Sequence, residues 1–202
     1  MSLKEKLLLQ FGRPTGIMGR IAGWLMTKTN WERNRWAVEK MDPGVNDIIL
    51  EIGYGTGTTA NIIAEKLKKG KLIGVDHSDL MYRQANKVNR KHLLNKKVVL
   101  HNGTIWELDY KDDTFDLAFG SNVHFFWSDP VAEYRRLHHL IKPGGKIVLV
   151  FQPMWVKSDC ELYITTTQAM EDLRRAGFQN VDYDYKNIKP VTCVYISGRK
   201  LI

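Results

Sequence analysis

Between Ile48 and Gly57 the chain reads Ile-Ile-Leu-Glu-Ile-Gly-Tyr-Gly-Thr-Gly. No other feature constrains the fold as much. An apolar run of strand length breaks into alternating glycines. Apolar residues then recur at helical spacing, at Ala60, Ile63, Ala64 and Leu67, up to a stop at Gly70. A buried strand that enters a helix through a glycine loop builds a β-loop-α unit, and the loop is where a ligand can approach the backbone closely.

The rest of the chain repeats the alternation. Leu72–Asp76 reads as a second strand, Ser78 to Leu94 as a helix, Val98–Leu100 as a third strand and Phe115–Phe119 as a fourth. Asp129-Pro130 supplies a cap and a first helical position for the helix striped by Val131, Tyr134 and Leu137. Pro143-Gly144-Gly145 turns into a fifth strand, Ile147–Phe151. A helix closing at Ala176-Gly177 leads to Val181–Tyr185, a Lys186–Pro190 turn and Val191–Ser197. Strands joined this tightly must run antiparallel, because a parallel crossover needs a dozen or more residues. The expectation is an α/β fold: a doubly wound, seven-stranded, mostly parallel sheet with an antiparallel C-terminal strand.

Residues 1–46 read differently. Ile17, Met18, Ile21, Ala22, Trp24 and Leu25 make an amphipathic segment, and a second helix is expected from Trp31 to Met41 behind a Thr29 or Asn30 cap. These residues are expected to form an N-terminal helical cap on a domain spanning 47–202. In that cap Trp24, Trp31 and Trp36 offer apolar surface for closing a ligand site. Arg33 and Arg35 lie there too; either could reach the carboxylate of a bound ligand if the cap folds over the site, and solvation is the favoured expectation for both.

The net charge is +8. Lys66, Lys68, Lys69 and Lys71, and Lys87, Arg90, Lys91, Lys96 and Lys97, fall at the ends of the first two sheet helices. Ligands in such folds bind at the other pole, where helices begin, so the charge reads as a solvated face and no nucleic-acid partner is expected. Cys160 and Cys193 are the two cysteines and neither belongs to a CxxC pair, which gives no support to a disulfide scaffold or a zinc site. The N-terminal apolar stretch holds three leucines, too few for a signal-peptide core, and no run reaches membrane-span length. A cytoplasmic location is expected.

Asp76 ends the second strand and can accept the hydroxyls of a ribose. Two ligand classes suit this geometry. A dinucleotide fingerprint begun at Gly53 would need a third glycine where Thr58 stands. Glu51, beside the loop, would repel a pyrophosphate but suits a ligand carrying an ammonium and a sulfonium.

Ile48–Gly57 resembles motif I of class I S-adenosylmethionine (SAM)-dependent methyltransferases. Gly74–Met81 is similar to their second motif, Asn102-Gly103-Thr104-Ile105 to the adenine loop after the third strand, and Ile141–Gly145 to the turn before the fifth. The closest flavour is the small-molecule group that includes quinone-biosynthesis enzymes. The resemblance implies SAM as cofactor, with a Rossmann-like methyltransferase fold. It implies that Glu51, Gly53, Tyr54, Gly55 and Gly57 cradle the methionyl part and that Asp76 binds the ribose. His77, Met81, Gly103, Thr104 and Ile105 would surround the adenine, with Ser121 beside the methyl group. The family often has Asp where Thr104 stands.

Methyl transfer from a sulfonium is an in-line displacement, in which the protein supplies proximity and exclusion of water. Gly120–Trp127 faces the reaction by resemblance, and His124 is its one candidate catalytic base. Phe125, Phe126 and Trp127 could wall an apolar acceptor pocket or belong to the core. The motifs of DNA amino-methylating enzymes, a Pro-Cys nucleophile and acidic metal ligands are all missing from this segment, so no metal is expected. A small, apolar or aromatic acceptor is the leading expectation. The alternative is a SAM-binding or RNA-binding module of the same fold that does not methylate small molecules.

Overall fold

A computed structural model describes residues 31–202 of the chain. The amphipathic segment around Ile17–Leu25, with Trp24 and the Thr29 or Asn30 cap, lies outside the described residues. Helix α1 covers 31–41. There follow β1 (Ile48–Ile52), α2 (Thr58–Lys66), β2 (Lys71–Asp76), α3 (Asp79–Val88), α4 (Arg90–Leu94), β3 (Val98–Asn102) and β4 (Phe115–Ser121). The chain continues through α5 (Pro130–Leu140), β5 (Ile141–Phe151), α6 (Asp159–Arg175), β6 (Gln179–Lys186) and β7 (Cys193–Arg199). Single turns of 3-10 helix stand at Ile105–Glu107 and His124–Phe126.

The seven strands form one sheet in the order β3-β2-β1-β4-β5-β7-β6. Strands β1 to β5 pair in parallel, and β7 runs antiparallel to both of its neighbours. The expected mixed sheet is therefore present, with β7 as the reversed strand. Strand order changes direction between β1 and β4, which opens a crevice at their carboxyl ends.

Alternation along the strands divides the core between the two faces. Ile147, Leu149 and Phe151 of β5 join Tyr134 and Leu137 of α5 and Leu162 and Leu173 of α6. Val148 and Val150 join the opposite face, where Ala37, Val38 and Met41 of α1 pack with Ala60 and Ile63 of α2 and Met81 and Ala85 of α3. Helix α1 is thus continuous with the sheet's own core, and Ala37, Val38 and Met41 are fully buried.

Helix starts follow local chemistry. The Ser78 hydroxyl accepts the N–H of Met81, and Asp129 Oδ1 accepts that of Ala132 at 3.0 Å ahead of Pro130. The single helix expected over Ser78–Leu94 is divided in two at Asn89. Its buried side chain donates to the carbonyls of Gly57 at 2.9 Å and Ala85 at 3.0 Å, a tertiary interaction that helical periodicity does not encode.

The lysine-rich segments gather where β2 and β3 begin, the pole away from the glycine loop. There Lys97 Nζ donates to the Leu67 carbonyl at 2.7 Å. Strand β6 lies at the sheet edge, where the N–H groups of Tyr183 and Tyr185 each donate to the preceding aspartate, Asp182 and Asp184, at 2.8 Å. Among the described residues no helix is long and apolar enough to cross a membrane.

Candidate active site

The glycine loop takes its shape from positive backbone angles that an L side chain resists. Gly53, Gly55 and Gly57 have φ of 67°, 52° and 78°. The three glycines nevertheless do different things. A Cβ on Gly55 would meet no protein atom within 4 Å, so this residue faces open space. A Cβ on Gly53 would lie 2.4 Å from Val123 Cγ1. On Gly57 it would strike Asn89 Nδ2 at 2.5 Å and Ala85 at 2.8 Å, so this glycine lets α2 approach α3 and does not line the cavity.

The loop borders a cavity of about 490 Å³ above the crevice between β1 and β4. Of the residues that the resemblance assigns to the cofactor, the structure brings eleven together on its wall: Glu51, Gly53, Tyr54 and Gly55 from the loop, Asp76, His77 and Met81 after β2, Gly103, Thr104 and Ile105 after β3, and Ser121. Asp76 is the pivot. Its Oδ2 accepts the N–H of Gly55 and its Oδ1 that of Ser78, both at 2.9 Å. Each oxygen retains a lone pair for a further donor. Burial raises the Asp76 pKa, and the two N–H groups oppose that rise.

Glu51 is 2% exposed, and its Oε2 has no hydrogen-bond partner among the described residues. Burial, reinforced by the nearby Asp76 charge, lifts its pKa to about 8. A buried carboxyl beside a second carboxyl keeps its proton until a cation arrives. The Tyr54 hydroxyl donates to the His101 carbonyl at 3.0 Å and ties the loop to β3. Thr104 donates its hydroxyl and its N–H to Glu107 Oε2, at 2.9 and 2.7 Å, and so caps the turn that carries Ile105. The Ser121 hydroxyl is buried without a partner.

His124 is placed elsewhere. It is absent from the cavity wall and packs against the rings of Phe125 and Phe151, with centroids 3.8 and 4.7 Å away. Burial lowers its pKa to about 3, and its Nε2 has no partner. Asn122 accounts for this: its φ of 56° redirects the chain as it leaves β4. Phe126 and Trp127 reach the cavity, whereas Phe125 packs against the core.

Sequence reading missed Asn34 as a wall residue and favoured solvation for Arg33 over a place at the ligand's carboxylate. The expectation of a solvated arginine holds for Arg35, which is exposed and pairs with Glu39 at 3.0 Å. It fails for Arg33, which is 3% exposed and faces the cavity with its Nε unpartnered. Asn34 is buried with its Oδ1 unpartnered. Helical spacing alone holds the signal: Ala37, Val38 and Met41 mark the inward face of α1, and Arg33 and Asn34 sit one turn before Ala37 and Val38 on that same face.

A glycine cradle at a topological switch point, with one carboxylate fixed at the end of the second strand and another buried beside the loop, defines a Rossmann-like domain for an adenosyl ligand carrying positive charge. The match is close in known proteins. A methyltransferase-domain family model matches residues 49–145. The uncharacterized methyltransferase YdaC of Bacillus subtilis is 28% identical over 183 residues, covering 89% of this chain and 98% of its own length. The demethylmenaquinone methyltransferase of Lactobacillus johnsonii is 29% identical over 186 residues, covering 88% of this chain and 72% of its own. Phosphoethanolamine N-methyltransferase 2 of Haemonchus contortus, solved with SAM, shares the fold at a TM-score of 0.71 and 15% identity, over 90% of this chain and 57% of its own. Residues 49–145 thus carry a methyltransferase domain, and the relatives and solved neighbours support a class I SAM-dependent methyltransferase with SAM as its cofactor. The charges of the cavity fit that molecule, since a buried, unpartnered carboxyl suits its cationic methionyl end.

Proposed function

We propose that this methyltransferase acts on a small, largely apolar or aromatic acceptor. The carrying observation is the wall beyond the glycine loop. Val123, Phe126 and Trp127 line it beside Asn122, Ser128 and Glu133, and the histidine nearest in sequence is turned away and held neutral. Such an aromatic surface suits an acceptor that binds largely by area. The Lactobacillus johnsonii relative, named for demethylmenaquinone, supports the same reading.

When bound, SAM supplies an activated methyl group on a sulfonium. The chain's contribution is placement. In this proposal Gly53, Tyr54 and Gly55 cradle the methionyl part and Glu51 takes its ammonium. Asp76 receives the ribose hydroxyls on the lone pairs left by Gly55 and Ser78. Met81, Ile105 and His77 enclose the adenine, and Thr104 borders its amine. Ser121 sits at the end of β4 near the transfer point. The role of the wall is to hold the acceptor in line and to keep water out.

The test uses methyl-labelled SAM with the full chain. Pools of small extractable metabolites, RNA and protein from one lysate are offered separately. Label is expected in the extractable pool, in its apolar fraction. Label confined to RNA or protein would refute a small-molecule acceptor.

A further inference from the structure

Arg33 is a buried cation held by a single uncharged partner. Its Nη1 donates to Gln152 Oε1 at 3.2 Å, and its Nε is buried and unpartnered. Burial lowers its pKa to about 10. A guanidinium removed from water needs an anion, and no acidic side chain forms an ion pair with it among the described residues.

The orientation of that partner is fixed. Gln152 follows β5, and its Nε2 donates to two carbonyls of the β6–β7 connection, Ile188 at 3.0 Å and Val191 at 2.7 Å. Carbonyls only accept, so the amide nitrogen must face them and the amide oxygen must face Arg33. The Gln152 N–H is held in turn by Asn122 Oδ1 at 2.9 Å. A clasp of α1, β5 and the last hairpin therefore aims one guanidinium at the cavity. The neighbouring Asn34 adds a buried acceptor with no partner. A donor fork beside an acceptor complements an amino acid's carboxylate and ammonium.

We propose that Arg33 binds the carboxylate of the cofactor's methionyl end, and that Gln152 is the positioning residue that orients it. The proposal rests on placing that end of the cofactor at the glycine loop.

Calorimetry on the full chain tests it without turnover, using three ligands. S-Adenosylhomocysteine carries the carboxylate, its decarboxylated analogue lacks only that group, and 5′-methylthioadenosine lacks the whole amino-acid end. Arg33→Met is expected to weaken S-adenosylhomocysteine by about tenfold to a hundredfold, the range of one charge-assisted contact, and to leave the other two unchanged. Gln152→Leu is expected to give a smaller loss with the same selectivity. Should Arg33→Met fail to fold, Arg33→Lys keeps the charge without the planar fork and is expected to show an intermediate, still selective loss.

Equal weakening of all three ligands would overturn the proposal in favour of a scaffolding role. So would unchanged affinity for S-adenosylhomocysteine, including the case where only the acceptor's KM rises, which would make the anion the acceptor's. Asp76→Ala, run alongside, reports on the site itself. If it weakens all three ligands while Arg33 variants show no selectivity, the carboxylate assignment alone fails. If it weakens none, the placement of the cofactor fails.

Discussion

The carboxylate of Asp76 reaches across from the end of β2 and accepts the N–H of Gly55 at 2.9 Å, so the two halves of the proposed cofactor cradle share one hydrogen bond. The residue assigned to the ribose also shapes the loop assigned to the methionyl part.

Replacing Asp76 by alanine is therefore expected to do two things. Affinity for S-adenosylhomocysteine should fall by about a hundredfold, as charge-assisted hydrogen bonds are lost at roughly 1.5–3 kcal/mol each. The amides of Gly55 and Ser78, freed from their acceptor, should exchange faster in the ligand-free protein. Calorimetry and hydrogen exchange on the same variant check both. Normal affinity in a folded variant would rule out the ribose role.

Glu51 is expected to make binding depend on pH. Its pKa is lifted from 4.5 to about 8 by burial, so at pH 7 the ligand-free protein holds that proton. A cationic ligand favours the carboxylate form and drives the proton off. Binding at pH 7 is expected to release up to one proton, seen as a dependence of the binding heat on the buffer, and affinity should rise as pH approaches 8. Between pH 4.5 and 8 the folded state binds more protons at this site than the unfolded chain does, so this residue's contribution to stability falls as pH rises through that window. Glu51→Gln should abolish the proton release, weaken SAM binding and raise the melting temperature of the ligand-free protein at pH 8.

His124 is expected to be dispensable for chemistry. His124→Phe should keep kcat within about threefold, against the roughly hundredfold or larger loss that follows removal of a general base. The variant should also resist acid better. With a folded pKa of about 3 against 6.5, this histidine binds more protons when unfolded, so its contribution is lost as pH falls below 6.5. Melting curves from pH 4 to 7 measure the flattening. A loss of kcat by two orders of magnitude would return His124 to the active site.

Two glycine variants should separate. Alanine at Gly55 or Gly57 carries the strain of a positive φ, about 1–2 kcal/mol. At Gly55 the added methyl meets only ligand space, so the main loss is expected in cofactor affinity. At Gly57 it collides with Asn89 and Ala85, so the main loss is expected in stability to urea. Equal profiles for the two variants would contradict the division of labour within the loop.

The sequence exposes whatever depends on neighbours along the chain. The run Ile48–Ile52, the glycine spacing and the helical repeat from Ala60 specify the β1-loop-α2 unit locally, and the short link between the last two strands requires their antiparallel pairing. Most of the cavity wall was legible for the same reason, because residues just past the ends of parallel strands gather at one pole. Long-range partners stayed hidden. The break at Asn89 depends on the carbonyl of Gly57. The burial of Arg33 depends on Gln152, far along the chain, and arginine is ordinarily exposed. The position of His124 depends on a left-handed Asn122, one residue that turns the following side chains about.

The last strand pair has a consequence for how copies of this protein meet. A sheet edge is a template, and among the described residues no strand pairs with the outer side of β6. Asp182 and Asp184 already occupy the N–H groups of Tyr183 and Tyr185. A second chain laid along this edge would have to displace those carboxylates, one of which, Asp184, is also held by Lys40 at 2.6 Å. Removing both aspartates is expected to free those N–H groups for pairing with another chain.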